Sequence, residues 1–71
     1  MPKFLIEQRE QEVWRPWAVW TQATYRIALN NLLRLCTQGC QDINNFRIKR
    51  PCEDIIKQAQ DFIERRKTNG L

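Results

Sequence analysis

Two stretches near the start of the chain, residues 3–10 and 13–20, are rich in apolar residues and are separated by polar ones. Divided into alternate positions, as the two faces of a strand require, each stretch is interpreted as a β-strand, and valine and tryptophan in the second one favour strands. The polar residues 10–12 between them predict the tip of a hairpin, although it lacks an Asn-Gly turn. Pro16 suits a strand only at a sheet edge or at a bulge. On such a strand Trp14 and Trp20 would share one face and Trp17 would take the other.

A helix is the competing interpretation of the same residues. Gln, Glu and Arg are good helix formers, and Ile6, Val13 and Trp17 stand at helical spacing. Pro16 would then have to break the helix. The hairpin is the preferred interpretation, and an all-α helical bundle is the alternative fold.

A helical face is clear in residues 24–36. Its apolar positions recur at i, i+3, i+4, i+7 and i+11, which is the spacing of one side of a helix. Thr21 or Thr24 can cap the start, and Gly39 can supply the left-handed residue that ends the helix. The apolar arc is wider than one layer would cover, so this helix is expected to be central or to face a partner, for which a second copy of the chain is one candidate.

A third strand is predicted at residues 46–49, because apolar and basic residues alternate strictly there. Phe46 and Ile48 are expected to point to the core. Arg47 and Lys49 are expected to point to the solvent.

The last predicted helix opens at Pro51, the favoured place for proline in a first turn. Acidic residues in its first turn and basic residues in its last turn suit the helix dipole, and Gly70 would end it. The element order is therefore β-β-α-β-α within a single domain, residues 1–71. With helices covering one face of a small antiparallel sheet, the expected fold class is a two-layer α+β domain.

Composition narrows the functional classes. The chain has 71 residues, no histidine and two glycines. Without histidine there is no Ser-His-Asp or Cys-His pair and no histidine-containing zinc site, and two separate glycines cannot form a Gly-rich phosphate loop. We therefore expect a protein that is not an enzyme and holds no cofactor.

Three cysteines, Cys36, Cys40 and Cys52, are expected to be free thiols. Their odd number argues against a disulfide framework, and no histidine can complete a zinc site with them. No apolar run approaches the length of about 20 residues that spans a membrane. A cytoplasmic protein without a bound metal or a membrane partner is the expectation.

Three tryptophans and a neighbouring arginine are the first candidate site. Trp14, Trp17 and Trp20 lie within seven residues, and a sheet with one buried face would leave at least one of them exposed. Exposed tryptophan is enriched at binding hot spots. Together with Arg15 these residues are candidates for binding a protein partner, and the alternative is that all three tryptophans are core packing.

Basic residues are the second candidate site. The net charge is +4, and cations cluster on the third strand and at the end of the last helix. With an exposed tryptophan they would suit the phosphates and bases of single-stranded nucleic acid, or an acidic protein surface; the plain alternative is a solvated surface. The residues concerned are Arg47, Lys49, Arg50, Arg65, Arg66 and Lys67.

The layout of the chain resembles that of small phage or mobile-element α+β proteins, in which a hairpin runs into a helix and a short strand follows. The segments that carry this resemblance are KFLIE (residues 3–7), WAVWTQA (17–23) and NFRIKRP (45–51). It implies an accessory factor that binds and inhibits host machinery in the host cytoplasm, and it transfers no functional residue. The sequence thus predicts a non-enzymatic protein-binding accessory or regulatory module, with a small basic nucleic-acid-binding protein as the alternative.

Overall fold

The computed structural model describes residues 2–69 and shows a three-stranded sheet with two helices. The α+β class, the β-β-α-β-α order and the antiparallel sheet are confirmed. The all-α alternative is wrong, because the first twenty-one residues contain a hairpin. The elements are β1 (Lys3–Glu10), β2 (Val13–Thr21), α1 (Tyr25–Gln38), a short 3-10 turn (Ile43–Asn45), β3 (Phe46–Lys49) and α2 (Glu53–Asn69).

The central strand is β1, and the sheet has the order β2-β1-β3. Both neighbours pair with β1 in antiparallel fashion. Three consecutive apolar residues of β1, Phe4, Leu5 and Ile6, are buried. Because successive side chains of a strand point to opposite faces, such a run needs cover on both faces of the sheet.

The two helices supply that cover from opposite sides. Phe4 and Ile6 pack with the buried side of α1, whereas Leu5 packs with Ile56 and Ala59 of α2. The domain therefore has three layers, with the sheet between the helices. The expectation that both helices cover one face, in two layers, is corrected by this arrangement.

The direction of α2 follows from an ion pair at each end. Lys3 Nζ lies 3.8 Å from Glu53 Oε2, and Arg66 Nη2 lies 2.6 Å from Glu10 Oε1. The helix therefore runs parallel to β1, and it lies mainly across β2. Its basic last turn comes to the hairpin end of the sheet.

The helix starts differ in how closely they follow the sequence pattern. Thr24, one of the two predicted candidates, is the N-cap of α1, and its hydroxyl accepts a hydrogen bond from Ile27 N at 3.2 Å. Pro51 does not occupy the first turn of α2, which begins two residues later at Glu53. The predicted stop at Gly70 lies outside the described residues.

The end of α1 uses a left-handed residue that is not glycine. Gly39 has φ −90°, and the left-handed residue is Cys40 with φ 56°. Gln41 N donates to Cys36 O at 2.8 Å and Cys40 N to Thr37 O at 3.4 Å, which is the pattern of a Schellman motif. That motif places the left-handed residue one position after the cap, so the prediction for Gly39 was wrong by one residue.

Candidate protein-binding site

A bulge in β2 decides which way its tryptophans point. Ile6 lies opposite Ala18 and its neighbour Glu7 lies opposite Pro16, which leaves Trp17 as an extra residue. A bulge shifts the alternation of side chains along its strand. Pro16 thus stands both at a sheet edge and beside a bulge, the two settings in which a strand tolerates proline.

Trp17 contacts two other aromatic rings on one face of the sheet. Its ring centroid lies 6.2 Å from that of Trp20 and 5.3 Å from that of Phe46, with the ring planes inclined at 70° and 71°. Trp20 and Phe46 pack against the core under α1, whereas Trp17 remains 36% exposed. We refer to Trp17, Trp20 and Phe46 as the aromatic surface. The expectation that Trp17 and Trp20 take opposite faces was wrong, because it ignored the bulge.

Trp14 lies apart from the aromatic surface. The guanidinium carbon of Arg47 stands 4.3 Å from the centroid of its ring, a cation–π contact. Arg15 is exposed, and it lies opposite Gln8 in β1, as Phe46 does from the other side. Arg15 therefore shares the face of the aromatic surface, while Trp14 belongs to a polar cluster on the other face.

A buried carboxylate forms the centre of that polar cluster. Glu7 is 8% exposed, and its Oε1 accepts from Arg47 Nε at 2.7 Å and lies 3.5 Å from Lys49 Nζ. A buried charge is costly unless it is paired. Arg47 and Lys49 lie on the face opposite Phe46 and Ile48, as expected, and Lys49 stays exposed. The expectation of plainly solvated cations did not include their pairing with Glu7.

The six basic candidates do not form one surface. Arg66 pairs with Glu10 at the hairpin end of β1. The guanidinium of Arg50 lies 6.0 Å from the ring of Phe4, near the opposite end of β1. Arg47 and Lys49 are held by Glu7 between these ends, and Arg65 and Lys67 are exposed on α2.

Open clefts flank the aromatic surface along β2. Two adjoining clefts, of about 350 and 280 Å³, lie between β2 and α2 and share Trp17, Ile63 and Lys67. A third, of about 320 Å³, joins Trp20 to Arg34 and Leu35 of α1. The edge of the molecule along β2 is therefore grooved on both sides, with a tryptophan and a cation in each groove.

The cysteines lie in two different environments. Cys36 is buried on the inner side of α1, and Cys40 and Cys52 are exposed. Burial, with a smaller contribution from the Asp42 carboxylate, raises the pKa of the Cys36 thiol, so that this group stays protonated and unreactive at neutral pH. Within residues 2–69 no group of three His, Cys, Asp or Glu side chains is placed to hold a metal ion.

The sequence analysis did not predict two residues of this region, Phe46 in the aromatic surface and Glu7 in the polar cluster. Phe46 contacts Trp17 only because β2 and β3 flank the same central strand. The alternation of side chains along each strand does not predict that strand order. Glu7 had a usable signal, since a carboxylate directly after three apolar residues of a strand has to find cations.

Comparison with known proteins adds no relative. No family model, curated protein or solved structure matches the chain. In the part of the chain that the structure describes, no helix is long and apolar enough to cross a bilayer. Function is therefore inferred from the aromatic surface and from the charges around it.

Proposed function

We propose that this chain is a non-enzymatic protein-binding module, an accessory or regulatory factor that docks on its partner through the aromatic surface. The observation that carries the proposal is the state of Trp17, which is 36% exposed and yet held edge-to-face by two rings. A large aromatic side chain that is already ordered loses little conformational entropy on binding. Tryptophan is one of the residue types enriched at binding hot spots.

Inhibition of host machinery is the regulatory role that we propose, in line with the small phage and mobile-element proteins that the layout resembles. The cytoplasm, or the host cytoplasm for a viral chain, is the proposed place of action. The two exposed thiols, Cys40 and Cys52, support this assignment because thiols stay reduced in that compartment.

Nucleic-acid binding is the alternative and has less support. Arg47 and Lys49 are engaged by Glu7, and Arg66 by Glu10, so half of the six cations already have carboxylate partners. The remaining ones stand at different ends of the molecule. These positions therefore do not form an extended basic groove that could follow a phosphate backbone.

The direct test compares Trp17→Ser with Ile55→Ser as bait in affinity capture from the cells that express the chain. Ile55 is 47% exposed on α2, so both variants remove an exposed apolar side chain and both should keep the fold. Ile55→Ser should change the free energy of unfolding by about 0.5 kcal/mol. Trp17→Ser should cost more, because it also removes two edge-to-face ring contacts of about 0.5–1.5 kcal/mol each.

We expect the original chain and Ile55→Ser to capture the same protein and Trp17→Ser to lose it. Equal capture by all three chains would contradict the proposal. So would a Trp17→Ser chain that is unfolded in circular dichroism, because Trp17 would then be a core residue.

The salt dependence of binding distinguishes a nucleic-acid-binding protein from the proposed protein-binding module. Labelled single-stranded and double-stranded DNA and RNA are titrated with the chain at low and at physiological salt. The proposal predicts no binding that survives physiological salt. Affinity that persists there and falls linearly with the logarithm of salt concentration, with a slope of several phosphate contacts, would instead favour a nucleic-acid-binding protein.

A further inference from the structure

The outer surface of α1 is both apolar and positively charged. Three large apolar residues there are exposed, Ile27, Leu33 and Leu35; Tyr25 is exposed too, but its ring packs edge-on against that of the buried Phe4 at 6.2 Å. Its charged residues are Arg26 and Arg34, and it contains no acidic residue. A solvated helix surface ordinarily mixes both signs of charge with few apolar groups.

The other helix shows the ordinary pattern. Among the described residues of α2, Ile55 is the large apolar residue counted as exposed. Its charges balance, with four acidic residues (Glu53, Asp54, Asp61, Glu64) and four basic ones (Lys57, Arg65, Arg66, Lys67). The outer surface of α1 is therefore a feature of that helix and not of the chain as a whole.

A cleft connects this surface to the aromatic surface. It has a volume of about 320 Å³, and Trp20, Leu35 and Arg34 line it. Asn31 Nδ2 donates to Gln22 Oε1 at 3.2 Å, which ties α1 to the end of β2 beside the cleft. The cleft therefore places the guanidinium of Arg34 next to the apolar side chains of Trp20 and Leu35.

We infer that the outer surface of α1 and this cleft bind an acidic, amphipathic segment of the partner protein. The inference rests on the proposed function and names the chemistry of the partner. Carboxylates of the segment would meet Arg34, and its apolar side chains would cover Leu35 and Trp20. An acidic segment is the complement of a helix that carries two cations and no anion.

A second copy of the chain fits the surface less well. Packing α1 on α1 would bring Arg26 and Arg34 of one copy towards the same arginines of the other, and the helix has no carboxylate to compensate them. An anionic membrane also fits less well, because lipid-binding segments carry clusters of about 4–8 cations.

The test uses a pair of synthetic amphipathic peptides of about four helical turns. One has glutamate at its polar positions and leucine or phenylalanine at its apolar positions, and its twin has lysine in place of glutamate. Binding of each labelled peptide to the full chain is measured by fluorescence anisotropy at physiological salt. We expect the glutamate peptide to bind at least about tenfold more tightly than its twin.

Variants locate the binding on α1. Arg34→Glu should weaken the glutamate peptide by about tenfold and Arg34→Gln by less. Lys57→Glu changes the same charge on α2 and should leave the affinity unchanged. Equal binding of the two peptides, or an affinity that Arg34→Glu does not change, would overturn the inference.

Two other occupants have their own readouts. A dimer in sedimentation that Leu35→Ser dissociates would assign the surface to a second copy of the chain. Binding to phosphatidylserine vesicles that exceeds binding to the glutamate peptide would assign it to lipid. Either result would overturn the inference.

The captured partner distinguishes this inference from the proposed function. If Trp17→Ser loses the partner and Arg34→Glu keeps it, the proposed function stands and the acidic segment is wrong. If both variants keep the partner, the proposed function fails as well. Loss of the partner in both, with retention in Lys57→Glu, supports both statements.

Discussion

Three residues that are not glycine adopt positive φ angles, and each marks a tight chain reversal. Gln11 and Glu12 form the hairpin tip with φ 51° and 66°, and Cys40 ends α1 with φ 56°. The left-handed region costs a residue with a β-carbon about 1 kcal/mol or more. These three positions therefore lower the free energy of unfolding, and residues that tolerate a positive φ should raise it.

Replacement of the hairpin tip should stabilise the domain. Two successive positive φ angles in a two-residue loop define a type I′ turn, for which Asn-Gly is the preferred pair. The double substitution Gln11→Asn, Glu12→Gly is expected to raise the free energy of unfolding by about 1 kcal/mol, measured by urea denaturation. A loss of stability instead would show that the tip does not have this geometry.

The end of α1 gives a second prediction at the same scale. Cys40→Gly should raise the free energy of unfolding by up to about 1 kcal/mol, because glycine occupies the left-handed position of a Schellman motif without strain. Cys40→Ala is the matched control, since it removes the thiol and keeps the β-carbon, and it should stay near the original value. Equal gains from both variants would trace the effect to the thiol and not to the backbone.

At the scale of the elements, β1 carries most of the constraints of the fold. It pairs on both edges, contributes apolar residues to both faces and holds the buried Glu7. Arg47 satisfies this carboxylate from β3 and also stacks on Trp14 of β2. One side chain thus connects all three strands on the face opposite the aromatic surface.

Removal of the Arg47 side chain should lower the free energy of unfolding, and a second substitution at Glu7 should restore much of it. Arg47→Met leaves Glu7 with Lys49 alone and is expected to lower the free energy of unfolding by about 2 kcal/mol, less than for a fully buried pair because Arg47 is partly exposed. Glu7→Leu combined with Arg47→Met should recover much of the loss, since an apolar pair needs no compensation. The free energy of unfolding of each variant is measured by thermal or urea denaturation. A double variant that loses as much stability as the two single substitutions added together would contradict this explanation.

The periodicity of the sequence is enough to predict the elements but not their faces. Residues 46–49 form the strand that their alternation indicates, and Thr24 caps the helix that follows the hairpin. The faces of β2 could not be derived, because one extra residue at Trp17 reverses the alternation in half of the strand. The two-sided burial of β1 was readable from Phe4, Leu5 and Ile6, whose unbroken apolar run is typical of a strand covered on both faces.

At the scale of the whole molecule, the two outer layers differ in character. The α2 side is charge-balanced and carries the ion pairs that fix the helix to β1. The α1 side exposes apolar residues and two arginines, and it leads through a cleft to the aromatic surface. This difference depends on strand order and on helix placement, which local sequence patterns do not encode. For this reason we propose that the partner binds along the β2 edge, where Trp17 lies, and on the α1 side of the molecule.

Photo-crosslinking from position 17 identifies the molecule that contacts the aromatic surface. A benzophenone amino acid replaces Trp17 in one chain and Ile55 in a control chain, both made in the cells that express the protein, and the adducts are identified by mass spectrometry. The account predicts one protein adduct from position 17, different from the chain itself, that position 55 does not give. Adducts to nucleic acid, or the same adducts from both positions, would contradict a protein-binding role for the aromatic surface.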